Sequence, residues 1–114
     1  PIFFSGGNST AETLSMGVPI VTWPDIYLRD RVTYSFFKTM GIDELIASSA
    51  DEYIMLANKL ATDEEFHAEM SGLIKKSSHK LFENSETVRE MGHFMVAAIE
   101  ASQKDEGPIC WKAP

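Results

Sequence analysis

The feature that most constrains this chain is Ser5-Gly6-Gly7-Asn8-Ser9-Thr10-Ala11-Glu12, set between two short apolar runs. Ile2-Phe3-Phe4 before it and Pro19-Ile20-Val21-Thr22-Trp23 after it are rich in β-branched and aromatic residues, the types that suit strands. Asn8, Ser9 and Thr10 all favour helix starts, and Gly17 with Pro19 stops the helix expected over 10–16. Strand, glycine loop, short helix and strand make one βαβ unit, whose strands are expected to run parallel through a right-handed crossover.

Chemistry concentrates at the same place. Two glycines let a ligand approach the backbone closely, and the helix that follows points its free N–H groups and partial positive end at the loop. Asn8, Ser9 and Thr10 add side-chain donors, so the segment suits a phosphate or diphosphate without any Lys or Arg. Glu12 stands one turn into the helix, where a carboxylate can accept hydrogen bonds from both hydroxyls of a ribose. An ordinary local reading fits these residues too. Gly6-Gly7 can be a plain turn, and Ser9-x-x-Glu12 has the spacing of a capping box. No Gly-Lys-Ser/Thr follows, so the loop is not a Walker A sequence.

Beyond residue 24 the pattern turns helical. Val32, Phe36, Phe37 and Met40 predict a helix over 28–40 closed by Gly41, and 42–47 is short enough for a last strand or an extended connection. Ser49 with Glu52, and Thr62 with Glu65, mark two further helix starts, while Asn84 starts a helix bearing Val88, Met91, Met95, Ala98 and Ile99. Residues 1–103 therefore read as one body and 104–114, with Gly107, Pro108 and Pro114, as a flexible tail. Two or three strands ahead of about four helices make a small sheet for a self-standing α/β domain, which predicts a piece of a larger one.

Composition narrows the partners. Ten Lys and Arg against 17 Asp and Glu give a net charge of −7, which argues against a nucleic-acid or anionic-membrane surface. Neither a membrane-length apolar run nor a signal-peptide pattern is present. The single cysteine, Cys110, forms no intrachain disulfide and reads as a bystander in a reducing compartment. His67, His79 and His93 have no metal-ligand spacing and read as structural.

The run from Gly6 to Glu12, followed by Gly17-Val18-Pro19-Ile20-Val21-Thr22-Trp23-Pro24, resembles the nucleotide-sugar signature of GT-B glycosyltransferases. Arg31-Val32, Ser35, Gly41, Glu44-Leu45-Ile46-Ala47, Glu52-Tyr53, Ala57, Leu60-Ala61 and Asp63 are similar to the C-terminal lobe of the O-GlcNAc transferase (SPINDLY-like) family. In that family the loop usually reads His-Thr-Thr and the ribose acid is usually Asp; here Gly7-Asn8-Ser9 and Glu12 stand in those places.

The resemblance implies an α/β fold, a partial Rossmann-like C-terminal lobe with short parallel strands followed by several helices. It implies a glycosyltransferase that moves a sugar from UDP-GlcNAc to Ser or Thr hydroxyls of a protein acceptor, in the cytoplasm and also the nucleus. Gly6, Gly7, Asn8, Ser9 and Thr10 would hold the donor diphosphate, Glu12 the ribose, and Arg31 would lie on the donor side. No metal or other cofactor is expected beyond the UDP-sugar substrate. The catalytic residues are expected upstream of Pro1, on a missing N-terminal lobe or a partner subunit, so the chain alone is expected to be inactive. The alternative is a non-catalytic donor-binding or interaction subunit that needs a separate catalytic chain.

Overall fold

The computed structural model describes residues 4–112 of the chain. They divide into two units, one up to Phe82 and one from Glu83, so the division falls within the 1–103 segment.

In the first unit four α-helices and a 3-10 turn follow one another: α1 (Asn8–Ser15), α2 (Leu28–Met40), α3 (Ala50–Thr62), α4 (Glu64–Ser77) and the turn Ser78–Leu81. Both glycine stops act as the sequence implies. Gly17 and Gly41 each have φ of +76°, a conformation in which a Cβ is strained. At each, the glycine N–H donates three residues back and the next amide reaches five back: Gly17 to Leu14 and Val18 to Thr13, then Gly41 to Lys38 and Ile42 to Phe37. These bonds satisfy carbonyls that the helix end leaves free.

Helix starts agree with the sequence at α3 and shift by one residue at α4. The Ser49 hydroxyl accepts from the Glu52 N–H at 3.2 Å. The Glu52 carboxylate reaches back to the N–H and hydroxyl of Ser48, 2.7 and 2.6 Å away, not to Ser49. Those bonds, the hydroxyl's first, hold the Glu52 carboxyl below the usual carboxylate range. Its favourable part is therefore present above the unfolded-state value and is lost as pH falls through the lowered one. Ser48→Ala is expected to move the Glu52 titration upward, as followed by NMR of its side-chain carbonyl. At α4 the cap is Asp63, whose carboxylate accepts from Phe66 at 2.9 Å, while the Thr62 hydroxyl donates back to Asn58. The Thr62–Glu65 expectation is corrected there, because Thr62 is still the last residue of α3.

The expected sheet is the main correction. Among the described residues no strand forms, and the second and third runs meet only at one parallel bridge between Thr22 and Ile46. Thr22 donates to the Leu45 carbonyl at 3.0 Å and accepts from Ala47 at 2.7 Å. The next rung on this edge would need the N–H of residue 24, and Pro24 has none to give. The direction of pairing is parallel, and the ladder is one rung long. Ile2 and Phe3 of the first expected strand lie outside the described residues, and Phe4 is irregular and exposed.

Leu14, Phe37, Met40, Ile42, Leu45, Met70 and Ile74 form the main core, joining α1, α2 and α4 through the segment around the bridge. Val21, Ala47 and Leu56 make a second cluster, with Trp23, Tyr53, Leu60 and Phe66 packed on it. Two residues of the expected apolar stripe differ: the buried face of α2 runs Asp30, Thr33, Phe37 and Met40, with Val32 and Phe36 only half-buried.

The second unit is α5 (Ser85–Gln103) and the segment after it. Asn84 caps α5 as expected, its side-chain oxygen accepting from Glu86 and Thr87. Val88, Met91, Met95 and Ile99 are exposed, and Ala101 is the buried residue of the helix. Trp111 meets Phe94 edge to face, with ring centroids 6.0 Å apart. Asp105, at φ +58°, closes α5 in the conformation that Gly17 and Gly41 adopt at their helices, with Glu106 donating to Ala101. Asp105→Gly relieves that strain and is expected to stabilise the second unit by about 0.5–1 kcal/mol, read as a rise in its denaturation midpoint. Among the described residues no helix is long and apolar enough to cross a membrane.

Candidate functional site

The loop from Ser5 to Gly7 leads directly into α1. Gly7 itself is the residue before the helix, and among the described residues no side chain caps the helix start. Asn8, Ser9 and Thr10 are thus inside the first turn, not ahead of it, and Ser9 cannot act as the cap of a capping box with Glu12. The Ser9 carbonyl instead accepts from the Thr13 hydroxyl at 2.7 Å, and the Glu12 carbonyl from Ser15 at 2.6 Å. This removes the capping-box part of the local reading. The capping-box geometry is not formed, and the helix start keeps backbone donors and its positive dipole end for another group.

The two glycines serve different ends. A Cβ on Gly6 would run into the Thr10 hydroxyl and lie 3.2 Å from the Ser9 hydroxyl, so glycine there lets the loop fold against its own helix. A Cβ on Gly7 would meet nothing within 4 Å among the described residues, so the turn is open on that side. Gly7, Asn8 and Ser9 are exposed, as is Glu12, whereas Thr10 is buried with its hydroxyl 3.4 Å from that of Thr33. The structure therefore brings Gly6, Gly7, Asn8, Ser9 and Glu12 to one accessible helix start and turns Thr10 inward.

Arg31 is placed differently. Its guanidinium donates to the Asp25 carbonyl at 2.8 Å and lies over the Tyr34 ring, 4.3 Å from the centroid. Its described partners are on the segment before α2 and on α2 itself, not on the 6–12 loop.

Sequence reasoning missed the inner side of this site. Ser5, Asp30 and Thr33 are buried polar residues beneath the loop. The Ser5 hydroxyl donates to the Arg29 carbonyl at 2.8 Å and accepts from the Val32 N–H at 3.1 Å, while its own N–H donates to Arg29. The only signal in the sequence is the spacing of Asp30, Thr33, Phe37 and Met40 on one helical face, two polar positions followed by two apolar ones. A separate hollow of about 470 Å³ lies in the second unit, lined by residues that include Phe94, Ala98, Ala101 and Ile109. Its lining also includes Ser102 and the two acidic residues Asp105 and Glu106, whose charge opposes an anion, so chemistry favours the loop over volume as the candidate site.

An open helix start behind a glycine turn, with an exposed carboxylate one turn along, is an arrangement whose backbone donors suit an anion. The chain belongs to glycosyl transferase family 41, whose family model matches residues 3–91. That membership supports the GT-B type of architecture. A Petunia hybrida protein named "Probable UDP-N-acetylglucosamine--peptide N-acetylglucosaminyltransferase SPINDLY" is 42% identical over 60 residues, 53% of this chain and 6% of that protein. The rice protein of the same name is 36% identical over 78 residues, covering 65% of this chain and 8% of its own length. A Caenorhabditis elegans protein named UDP-N-acetylglucosamine--peptide N-acetylglucosaminyltransferase is 30% identical over 89 residues, covering 76% of this chain and 8% of its own length. The chain thus spans less than a tenth of the length of these relatives.

Proposed function

We propose that residues 5–12 form the donor end of a nucleotide-sugar site in a protein O-GlcNAc transferase-like enzyme, which moves GlcNAc from UDP-GlcNAc to Ser or Thr hydroxyls of proteins. The observation that carries the proposal is the uncapped start of α1 behind the open Gly7 turn. Family membership and the names of the relatives supply the chemistry of the donor and acceptor.

In this reading the diphosphate rests on the backbone N–H groups of the first turn, with the Asn8 and Ser9 side chains beside it. As the acceptor hydroxyl attacks the anomeric carbon, the bond from that carbon to the β-phosphate oxygen breaks and negative charge collects on departing UDP. Fixed N–H groups and the helix dipole stabilise that charge without reorganising at the moment of reaction. The same groups supply the positive potential, so the reading asks for no metal. Glu12 accepts from the ribose hydroxyls and selects a ribonucleoside. Thr10, turned inward, supports the loop and leaves direct contact to its neighbours. Arg31 has one of its five N–H donors on Asp25, which leaves others for the donor's sugar or phosphate. Neither the base that takes the acceptor proton nor the acceptor site belongs to residues 4–112 in this proposal; an N-terminal lobe or partner subunit provides them.

Hydrogen exchange tests the reading. With UDP bound to the full-length protein, amides 6–12 are expected to gain protection while those of α3 hold steady. Unchanged exchange at 6–12 under saturating UDP sinks the proposal.

A further inference from the structure

We propose that Ser5 and Thr33 are positioning residues that lock the loop onto α2 before any ligand arrives, so that the donor meets a preformed set of N–H groups. The proposal rests on the donor-site reading above and adds two residues that touch no ligand in it. Ser5 is nearly fully buried, and its hydroxyl is used twice, donating to Arg29 and accepting from Val32. Its backbone N–H also donates to the Arg29 carbonyl, at 2.6 Å. The chain is thereby pinned to the first turns of α2 one residue before Gly6. Thr33 lies one turn further along α2, equally buried, with its hydroxyl 3.4 Å from both the Gly6 carbonyl and the Thr10 hydroxyl.

Two anchors on one rigid helix fix the two sides of the Gly6-Gly7 turn, Ser5 before it and Thr10 after it. Gly6 permits this approach, since a Cβ there would strike the Thr10 hydroxyl that faces Thr33. The contrast with the rest of the unit is informative. The main core that joins α1, α2 and α4 is apolar, and apolar packing tolerates small slips; the loop is held to α2 by the directional bonds of the buried Ser5 hydroxyl and N–H, with the Thr33 hydroxyl in longer polar contact. Asp30, buried on the same face of α2 one turn before Thr33, has a side-chain oxygen with no hydrogen-bond partner among the described residues and the Arg29 Nε 3.9 Å away, which extends the polar character of this face. Directional bonds of this kind set geometry, and geometry is what a diphosphate cradle of N–H groups depends on.

The test uses the full-length protein with UDP as probe, read by calorimetry and by hydrogen exchange of the free protein. Thr33→Val keeps the shape and removes the hydroxyl; Thr33→Ser keeps the hydroxyl; Ser5→Ala removes the other anchor. T33V and S5A are expected to weaken UDP binding about tenfold and to speed exchange at 5–12, with α3 and α4 unchanged. T33S is expected to bind like the wild type. Wild-type affinity in both T33V and S5A overturns the proposal, and so does a general rise in exchange across α3 and α4, the mark of a purely structural role. If the wild type itself fails to bind UDP, the donor-site reading falls and this proposal with it. Wild-type binding with unaffected variants overturns the positioning role alone.

Discussion

Alanine at Gly6 and alanine at Gly7 are expected to fail in different ways. At Gly6 the new Cβ meets the Thr10 hydroxyl, and that side chain has little freedom to yield. Thr10 is buried, is stiff about its first torsion because it is β-branched, and faces Thr33 across the seam. The loop must move instead. Gly6→Ala should therefore cost about 1–3 kcal/mol of stability, as overpacking does, and weaken UDP binding about a hundredfold through the misplaced N–H groups. At Gly7 a Cβ has space, so Gly7→Ala should leave the denaturation midpoint in place. It should still weaken UDP binding, because in the proposed site the added methyl would stand where the diphosphate approaches the backbone. Urea denaturation and calorimetry with UDP, run on both variants, separate these effects. If G7A binds UDP as tightly as the wild type, the open face at the helix start is not the place where the ligand rests.

The largest stability effect is expected at Phe37. This ring is fully buried on α2, in one cluster with Leu14, Met40, Ile42, Leu45, Met70 and Ile74. It also stands at the end of α2, where its carbonyl accepts from Ile42 across the Gly41 turn. Removing it takes away its transfer energy and leaves a cavity against four segments of chain. Phe37→Ala should cost about 3–5 kcal/mol, a large part of the 5–15 kcal/mol that typically holds a domain folded. Met16→Ala offers the comparison, since that side chain is 73% exposed and its loss should change stability by less than about 0.5 kcal/mol. Circular dichroism of urea unfolding measures both. A small shift for F37A would mean that the cluster is not the core of the first unit.

How far the sequence could be read follows from the range of the interactions involved. The Gly17 and Gly41 stops and the Ser49 and Asn84 caps depend on residues within five positions of one another, so local chemistry was enough to find them. The seam beneath the loop depends on partners 23 to 27 residues apart, and no periodicity announces it. An apolar stripe is the usual sign of a buried helix face, and it points to Val32 and Phe36; burial of Thr33 becomes intelligible only once Gly6 and Thr10 face it. The strands failed for a related reason. Pro19-Ile20-Val21-Thr22-Trp23 has strand-type side chains, but a ladder needs backbone donors, and Pro24 withholds the one that the next rung would use. The motif itself was legible as chemistry, while the choice between capping box and open helix start required seeing that α1 begins at Asn8.

The chain carries two tryptophans, Trp23 packed on the second core cluster of the first unit and Trp111 on Phe94 in the other. Each unit thus contains its own optical reporter, and each indole is half-buried, so its emission shifts when its surroundings open. A single melting curve drawn from total fluorescence would merge two events that need not share a midpoint, and a two-state fit to it would return a free energy belonging to neither. Replacing one indole with phenylalanine turns the same measurement into a record of one unit at a time.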